Sequence, residues 1–257
     1  MSAPELLTAR DGRVLTVTFA RPHRRNALTW EMYDGLVAAI DEGERDPEIG
    51  VLVLRGSGGA FAAGTDIGQF SAFTDGADGV RYEARVTQIV NRLESVPLPT
   101  VAVVDGACTG AGLVLAAACD LRVATPAAVF GVPVARTLGN CLSANSCSLL
   151  SARFGSARLI DMIYRARLVS AAEMKAAGFI SELSEPGELE ATVRDLLDVL
   201  LGHAPLTLWA TKETLQRLRL AALPEDEDIT AAVFGSADFR AGVAAFVTKQ
   251  RAPWTGQ

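Results

Sequence analysis

The sequence predicts an α/β fold, and three observations carry that reading. Buried-strand patterns, rich in β-branched residues and closed by glycine, occur at "IGVLVLRG" (49–56) and "VAVVDG" (101–106). Stretches with apolar residues at helical spacing lie between them, so that strand, glycine loop and helix recur along the chain. Later in the chain helical patterns take over, which divides it into an α/β core over residues 1–200 and a helical region over 201–257.

The elements follow in order. "VLTVTF" (14–19) alternates like a strand with one buried face. After the turn "RPHRRN", Met32, Leu36, Val37 and Ile40 form one stripe of a helix running from Thr29 to Ile40. Val86, Ile89, Val90 and Leu93 form the stripe of a second helix, which Pro97 and Pro99 terminate. "LRVAT" (121–125) and "AVFGV" (128–132) read as further short strands. Ser170 and Glu173 make a capping box for a helix that Gly178 ends, and a short strand follows near "FISEL". Leu189, Val193, Leu196, Leu197 and Leu200 mark a helix over 187–201, and one more helix is expected on each side of "LPEDED". Trp209, Phe234, Phe239, Phe246 and Trp254 give this last region apolar surface that the core or another subunit must cover.

Composition narrows the function classes. With 257 residues, 49% apolar and 21% charged, the chain has the profile of a globular protein with a sizeable core. A formal charge of −6 and the lack of any Lys/Arg-rich run argue against nucleic acid. No apolar run reaches the roughly 18 residues of a membrane span. The four cysteines form no CxxC, and the opening "MSAPELLTARDGRV" lacks the basic segment and apolar run of a secretory leader, so a reduced, cytoplasmic protein is expected. His23 and His203 stand far apart in the chain, which disfavours a histidine metal site; no metal is expected.

Two loops hold candidate chemistry. "RGSGGAFAAGTDIGQF" (55–70) and "GACTGAGLVLAAACD" (106–120) each follow a buried strand and lead into a helix. Small residues there let a ligand approach the backbone, and free N–H groups at a helix start can face an anion. Neither loop has the spacing of a nucleotide triphosphate loop or a dinucleotide fold. On the residues alone, a backbone oxyanion site and tight turns in a packed core both stay open.

"RPHRRNALTWEM", "FAAGTDIGQF", "VDGACTGAGLVLAAACDLRVA", "LVSAAEMKAAGFISEL" and "FVTKQRAPW" stand in the order and spacing of the enoyl-CoA hydratase/isomerase (crotonase) family, which the chain resembles over essentially its whole length. The resemblance implies a crotonase-like spiral of ββα turns with a C-terminal helical oligomerisation region, a homotrimer or hexamer, and an acyl-CoA thioester as ligand. Coenzyme A enters only as part of the substrate, and no other cofactor is implied. Carried over by position, the oxyanion donors are the backbone N–H groups of Thr65 and Ala111, each beside a glycine (Gly64, Gly110). Arg24 and Ala27, the backbone from Ala62 to Asp66, and Lys249 are the implied CoA contacts; Asp66 also reads as a helix cap.

One departure matters. The family's hydratases carry two glutamates at positions that here are Val114 and Val134, and valine can neither accept nor donate a proton. Glu83 with Tyr82 on the preceding helix, and Arg136, Thr137, Asn140 and Ser143 in "PVARTLGNCLSANS", are the other polar candidates near the expected cavity. Three readings follow: a hydratase or isomerase that recruits another acid/base such as Glu83; an acyl-CoA decarboxylase or thioester hydrolase that needs mainly oxyanion stabilisation; and a non-catalytic acyl-CoA-binding subunit.

Overall fold

The computed structural model describes residues 4–257. An antiparallel hairpin of β1 (Leu6–Asp11) and β2 (Val14–Phe19) leads into α1 (Trp30–Arg45), whose N-cap Thr29 accepts the Met32 N–H. Three ββα turns then succeed one another: β3 (Val51–Gly56), β4 (Ala60–Ala62) and α2 (Gly76–Ser95); β5 (Thr100–Val104), β6 (Ala107–Thr109) and α3 (Ala111–Ala118); β7 (Leu121–Ala124), β8 (Val129–Gly131) and the short α4 (Val134–Thr137). Each turn gives its first strand to a six-stranded sheet, β1-β2-β3-β5-β7-β10, and its second to a four-stranded sheet, β4-β6-β8-β9. The expected spiral is therefore present. The rest of the chain runs through α5 (Ala144–Phe154), α6 (Ser156–Tyr164), β9 (Val169–Ser170), α7 (Ala171–Ala176), β10 (Glu182–Leu183), α8 (Leu189–Leu201), α9 (Pro205–Leu220), α10 (Glu227–Phe234) and α11 (Ala237–Thr248).

The unbroken apolar runs of β3 and β5 have a physical cause, because both faces of these strands are covered. Leu52, Leu54, Ala102 and Val104 face the main core, while Val51, Val53, Val101 and Val103 face Val193, Leu196 and Leu200 of α8. The capping box of Ser170 and Glu173 forms as expected at α7.

One expectation for the last region needs correction. Three helices follow residue 201, not two, since Gly235 and Ser236 divide the segment after "LPEDED" and Ser236 caps α11 by accepting the Phe239 N–H. The aromatic residues also separate: Phe234 and Phe239 are fully buried in the main core, whereas Trp209, Phe246 and Trp254 remain 41%, 48% and 42% exposed. No single helix among the described residues is long and apolar enough to cross a membrane.

Candidate active site

The two glycine loops meet backbone to backbone. A Cβ on Gly110 would lie 3.4 Å from the Gly64 Cα, and one on Gly64 would lie 3.9 Å from the Ala111 nitrogen. Gly64 and Gly110 have positive φ, 100° and 54°, so a side chain would strain each turn. Gly112 locks the second loop down, since a Cβ there would lie 2.2 Å from the Ala62 carbonyl oxygen.

This contact puts two N–H groups side by side. Around Thr65 the chain makes a parallel bridge with Leu28, in which Leu28 N–H donates to Gly64 and Asp66 N–H donates to Leu28. That pairing turns the Thr65 N–H to the other side. Ala111 is the first residue of α3, where backbone N–H groups have no partner within the helix. Neither nitrogen donates a hydrogen bond among the described residues, and both residues line a cavity of about 150 Å³.

The cavity wall is mostly apolar. Val86, Val114, Val134 and Leu142 contribute to it, and Phe246 of α11 closes one side. Among the described residues, Glu83 is its only carboxyl group. The side chain is 7% exposed, and the Ser143 N–H donates to its Oε2 at 3.2 Å. Burial pushes the carboxyl up to about 7, further raised by the nearby Asp226 carboxylate and partly offset by hydrogen bonds from Ser143. Asn140 also lines the cavity, and its buried Oδ1 has no hydrogen-bond partner among the described residues. Thr137 faces the cavity with its hydroxyl committed to the Pro133 carbonyl at 3.0 Å. Arg136 is exposed and does not line the cavity, because the single turn of α4 points it outward, so the structure does not bring it to the expected place.

The surrounding loops are braced by residues that the sequence pattern did not mark. Asn26, fully buried with φ 55°, accepts the Arg21 N–H and donates to the Ser57 and Ala60 carbonyls, which fixes the turn holding Arg24 and Ala27. Arg21 bridges Glu5, the Ala27 carbonyl and Asp66. Burial raises the Asp66 carboxyl, but its bond from the Gly68 N–H and its contact with Arg21 outweigh this and hold it below its ordinary range. Asp66 caps the short 3-10 turn that starts at Ile67, as its position suggested. Lys249 is exposed, ends α11 in a left-handed conformation one turn beyond Phe246, and lies outside the cavity lining, as do Arg24 and Ala27.

A larger cavity of about 430 Å³ lies elsewhere, between α9 and the core. Its charged side chains are engaged with one another, Lys212 with Asp120 and Arg219 with Glu94. The cavity beside Thr65 and Ala111 is the one that joins free donors to a perturbed carboxyl group.

The enoyl-CoA hydratase/isomerase family model matches residues 9–257. The chain is similar to the enoyl-CoA hydratase EchA19 of Mycobacterium tuberculosis, with 30% identity over 264 positions that cover 98% of this chain and 96% of the relative. It is similar to the crystal structure of an enoyl-CoA hydratase/carnithine racemase from Magnetospirillum magneticum, at 28% identity and a TM-score of 0.80, covering 100% of this chain and 97% of that one. It is also similar to methylmalonyl-CoA decarboxylase complexed with 2S-carboxypropyl-CoA, at 25% identity and a TM-score of 0.89 over 100% of both chains. With its three ββα turns and its paired glycine loops, the chain belongs to the enoyl-CoA hydratase/isomerase family, an enzyme family of acyl-CoA chemistry.

Proposed function

We propose that the protein moves a proton on an acyl-CoA thioester, holding the enolate oxygen between the Thr65 and Ala111 N–H groups and using Glu83 as its one proton carrier. The observation that supports this most is the position of Glu83, a nearly buried carboxyl group in the wall of the cavity those N–H groups line. Two aligned donors in a dry cavity stabilise developing negative charge strongly, with one such donor worth about 10² to 10³ in kcat. A carboxyl group titrating near neutral pH is matched to both taking and returning a proton.

A single carboxylate favours double-bond isomerisation over hydration. Glu83 takes a proton from C2 of a 3-enoyl-CoA, the electron pair moves onto the thioester oxygen, and the proton returns at C4 to give the 2-enoyl-CoA. Atoms balance without water. Hydration also needs a positioned water, and the two positions that resemble the family's water-activating glutamates are Val114 and Val134. A second reading, decarboxylation of a malonyl-type thioester, draws on the apolar wall, which would desolvate a substrate carboxylate and speed its loss as CO₂.

Arg24, Ala27, Ala62, Asp66 and Lys249 form the proposed CoA contacts, and the chemistry calls for no metal. Exposed Leu206, Leu218, Ile229 and Val247, each more than half accessible, support a trimer or hexamer built through the region 201–257. A stable monomer in sedimentation at micromolar concentration would refute that assembly.

The deciding experiment is an assay of 3-enoyl-, 2-enoyl- and malonyl-type short acyl-CoA thioesters side by side. Isomerisation should dominate. Faster CO₂ release would favour the second reading, and binding without turnover of any thioester would favour a non-catalytic subunit.

A further inference from the structure

Glu83 faces two spaces. Its side chain stands in the wall between the acyl cavity and a second cavity of about 200 Å³, lined by Val80, Ala84 and Thr87 of α2, Ser143 at the start of α5, and Asp226 and Thr230 at α10. A set of hydroxyls spans this wall. The Thr87 Oγ1 lies 3.4 Å from the Ser143 Oγ, which lies 3.2 Å from the Ser146 Oγ on the acyl side. Ser143 also caps α5, its oxygen accepting the Ser146 N–H while its hydroxyl donates to the Ser146 Oγ, and rotation of that hydroxyl turns its proton toward Thr87. The exposed carboxylates Glu225 and Glu227 stand at the outer rim.

We infer that Glu83 exchanges its proton with solvent through this second cavity, behind the substrate, by way of the Ser143 and Thr87 hydroxyls. The inference rests on Glu83 being the proton carrier. An acyl group seated in about 150 Å³ leaves little room for water on the front side, so a carboxyl group that must be reset between turnovers needs another path. A hydroxyl can accept one proton while releasing another, so each hop from Glu83 to Ser143, then Thr87, then cavity water, conserves charge. The tyrosines and cysteines near Glu83 do not compete for the proton. Burial raises the Tyr33, Tyr82, Cys141 and Cys147 protons above their ordinary range, so these groups stay neutral, and Asp226 lies toward the second cavity.

The test is hydrogen–deuterium exchange of the Glu83 carboxylic acid, followed by rapid-mixing infrared spectroscopy on the intact protein at about pH 6, below its titration midpoint. Its band is assigned by loss in Glu83→Gln. The measurement is made free and with a non-reactive butyryl-CoA thioether. In the unmodified protein the thioether should leave the exchange rate within about twofold. In Thr87→Val, and in Ala84→Leu, which fills the second cavity from an exposed position, the bound complex should exchange at least about tenfold more slowly. Thr87→Ser should restore the rate, which a merely structural role for Thr87 would not predict. The inference is overturned if the thioether alone slows exchange about tenfold, if neither variant does so, or if no Glu83-dependent band exists. Full isomerase activity in Glu83→Gln would remove Glu83 as the catalytic carrier, a separate failure that the infrared exchange does not decide.

Discussion

The Tyr82 hydroxyl lies 2.7 Å from the Thr65 hydroxyl, which stands 2.9 Å from the hydroxyl of Tyr33. Three residues from α1, the first glycine loop and α2 thus meet in one buried polar chain. The backbone whose N–H faces the cavity is tied on its other side to two aromatic anchors. Thr65→Val keeps the volume and removes the oxygen, leaving two buried phenol groups without their partner. The variant should lose about 1–3 kcal/mol per orphaned group in denaturant unfolding and also lose kcat, because the donor is no longer held in register. Unchanged stability and kcat would show that the chain does not position Thr65.

The Glu83 carboxyl, raised to about 7 chiefly by burial, predicts a pH profile. As a base it must be ionised, so kcat/KM should rise with pH through about 7 and level off above it. Glu83→Gln should lower kcat by roughly 10² to 10⁴ and abolish that limb. A variant that keeps the limb would assign it to another group.

The same shift fixes the sign of a stability effect. Folding raises the Glu83 pKa, so between its ordinary value and about 7 the folded state holds the extra proton, and stability falls as pH rises through that window. Glu83→Gln removes this fall. Relative to the unmodified protein it should gain up to about 3 kcal/mol on going from pH 4 to pH 8, measured by denaturant unfolding. An equal pH dependence in both proteins would contradict the burial of an ionisable group there.

Parts of this site were legible in the sequence because glycine is the only residue that could stand where it does. Gly64 and Gly110 turn with positive φ, and Gly112 presses on the Ala62 carbonyl, so the loops announce themselves in the chain. The main strands were legible for a related reason, a double-sided burial that leaves no polar position. Glu83 could be picked out only as one polar candidate among several. The groups that act on it come from Ser143, 60 residues away, and from Asp226 at the start of a helix packed on α2. The Tyr33–Thr65–Tyr82 chain joins three distant segments and leaves no local pattern. Strand β1 leaves no strand pattern because most of "LLTARD" is exposed and lacks alternation, and β4 and β6, at three residues each, are too short to show a period.

Val114 and Val134 provide the sharpest separation between isomerisation and hydration. Both line the acyl cavity, Val114 at 2% exposure and Val134 half-buried at the first turn of α4. Without a carboxylate at either position, water lacks its usual activation, and hydration should lose at least the roughly 10² to 10⁴ that one positioned acid or base supplies. Measured as loss of enoyl thioester absorbance, kcat/KM on crotonyl-CoA should therefore not exceed about 10⁵ M⁻¹s⁻¹. The two substitutions should then differ. Val134→Glu places the new carboxyl where part of it meets solvent, so it stays ionised at neutral pH and should raise hydration about tenfold or more. Val114→Glu buries the charge among valine and leucine side chains, so its carboxyl should stay protonated at pH 7, and any gain should emerge only at higher pH. Both variants should keep isomerase activity, since Glu83 is untouched. If the unmodified protein already hydrates crotonyl-CoA at about 10⁷ M⁻¹s⁻¹, near the upper range for enzymes, the two valines do not limit water activation and Glu83 alone suffices for it.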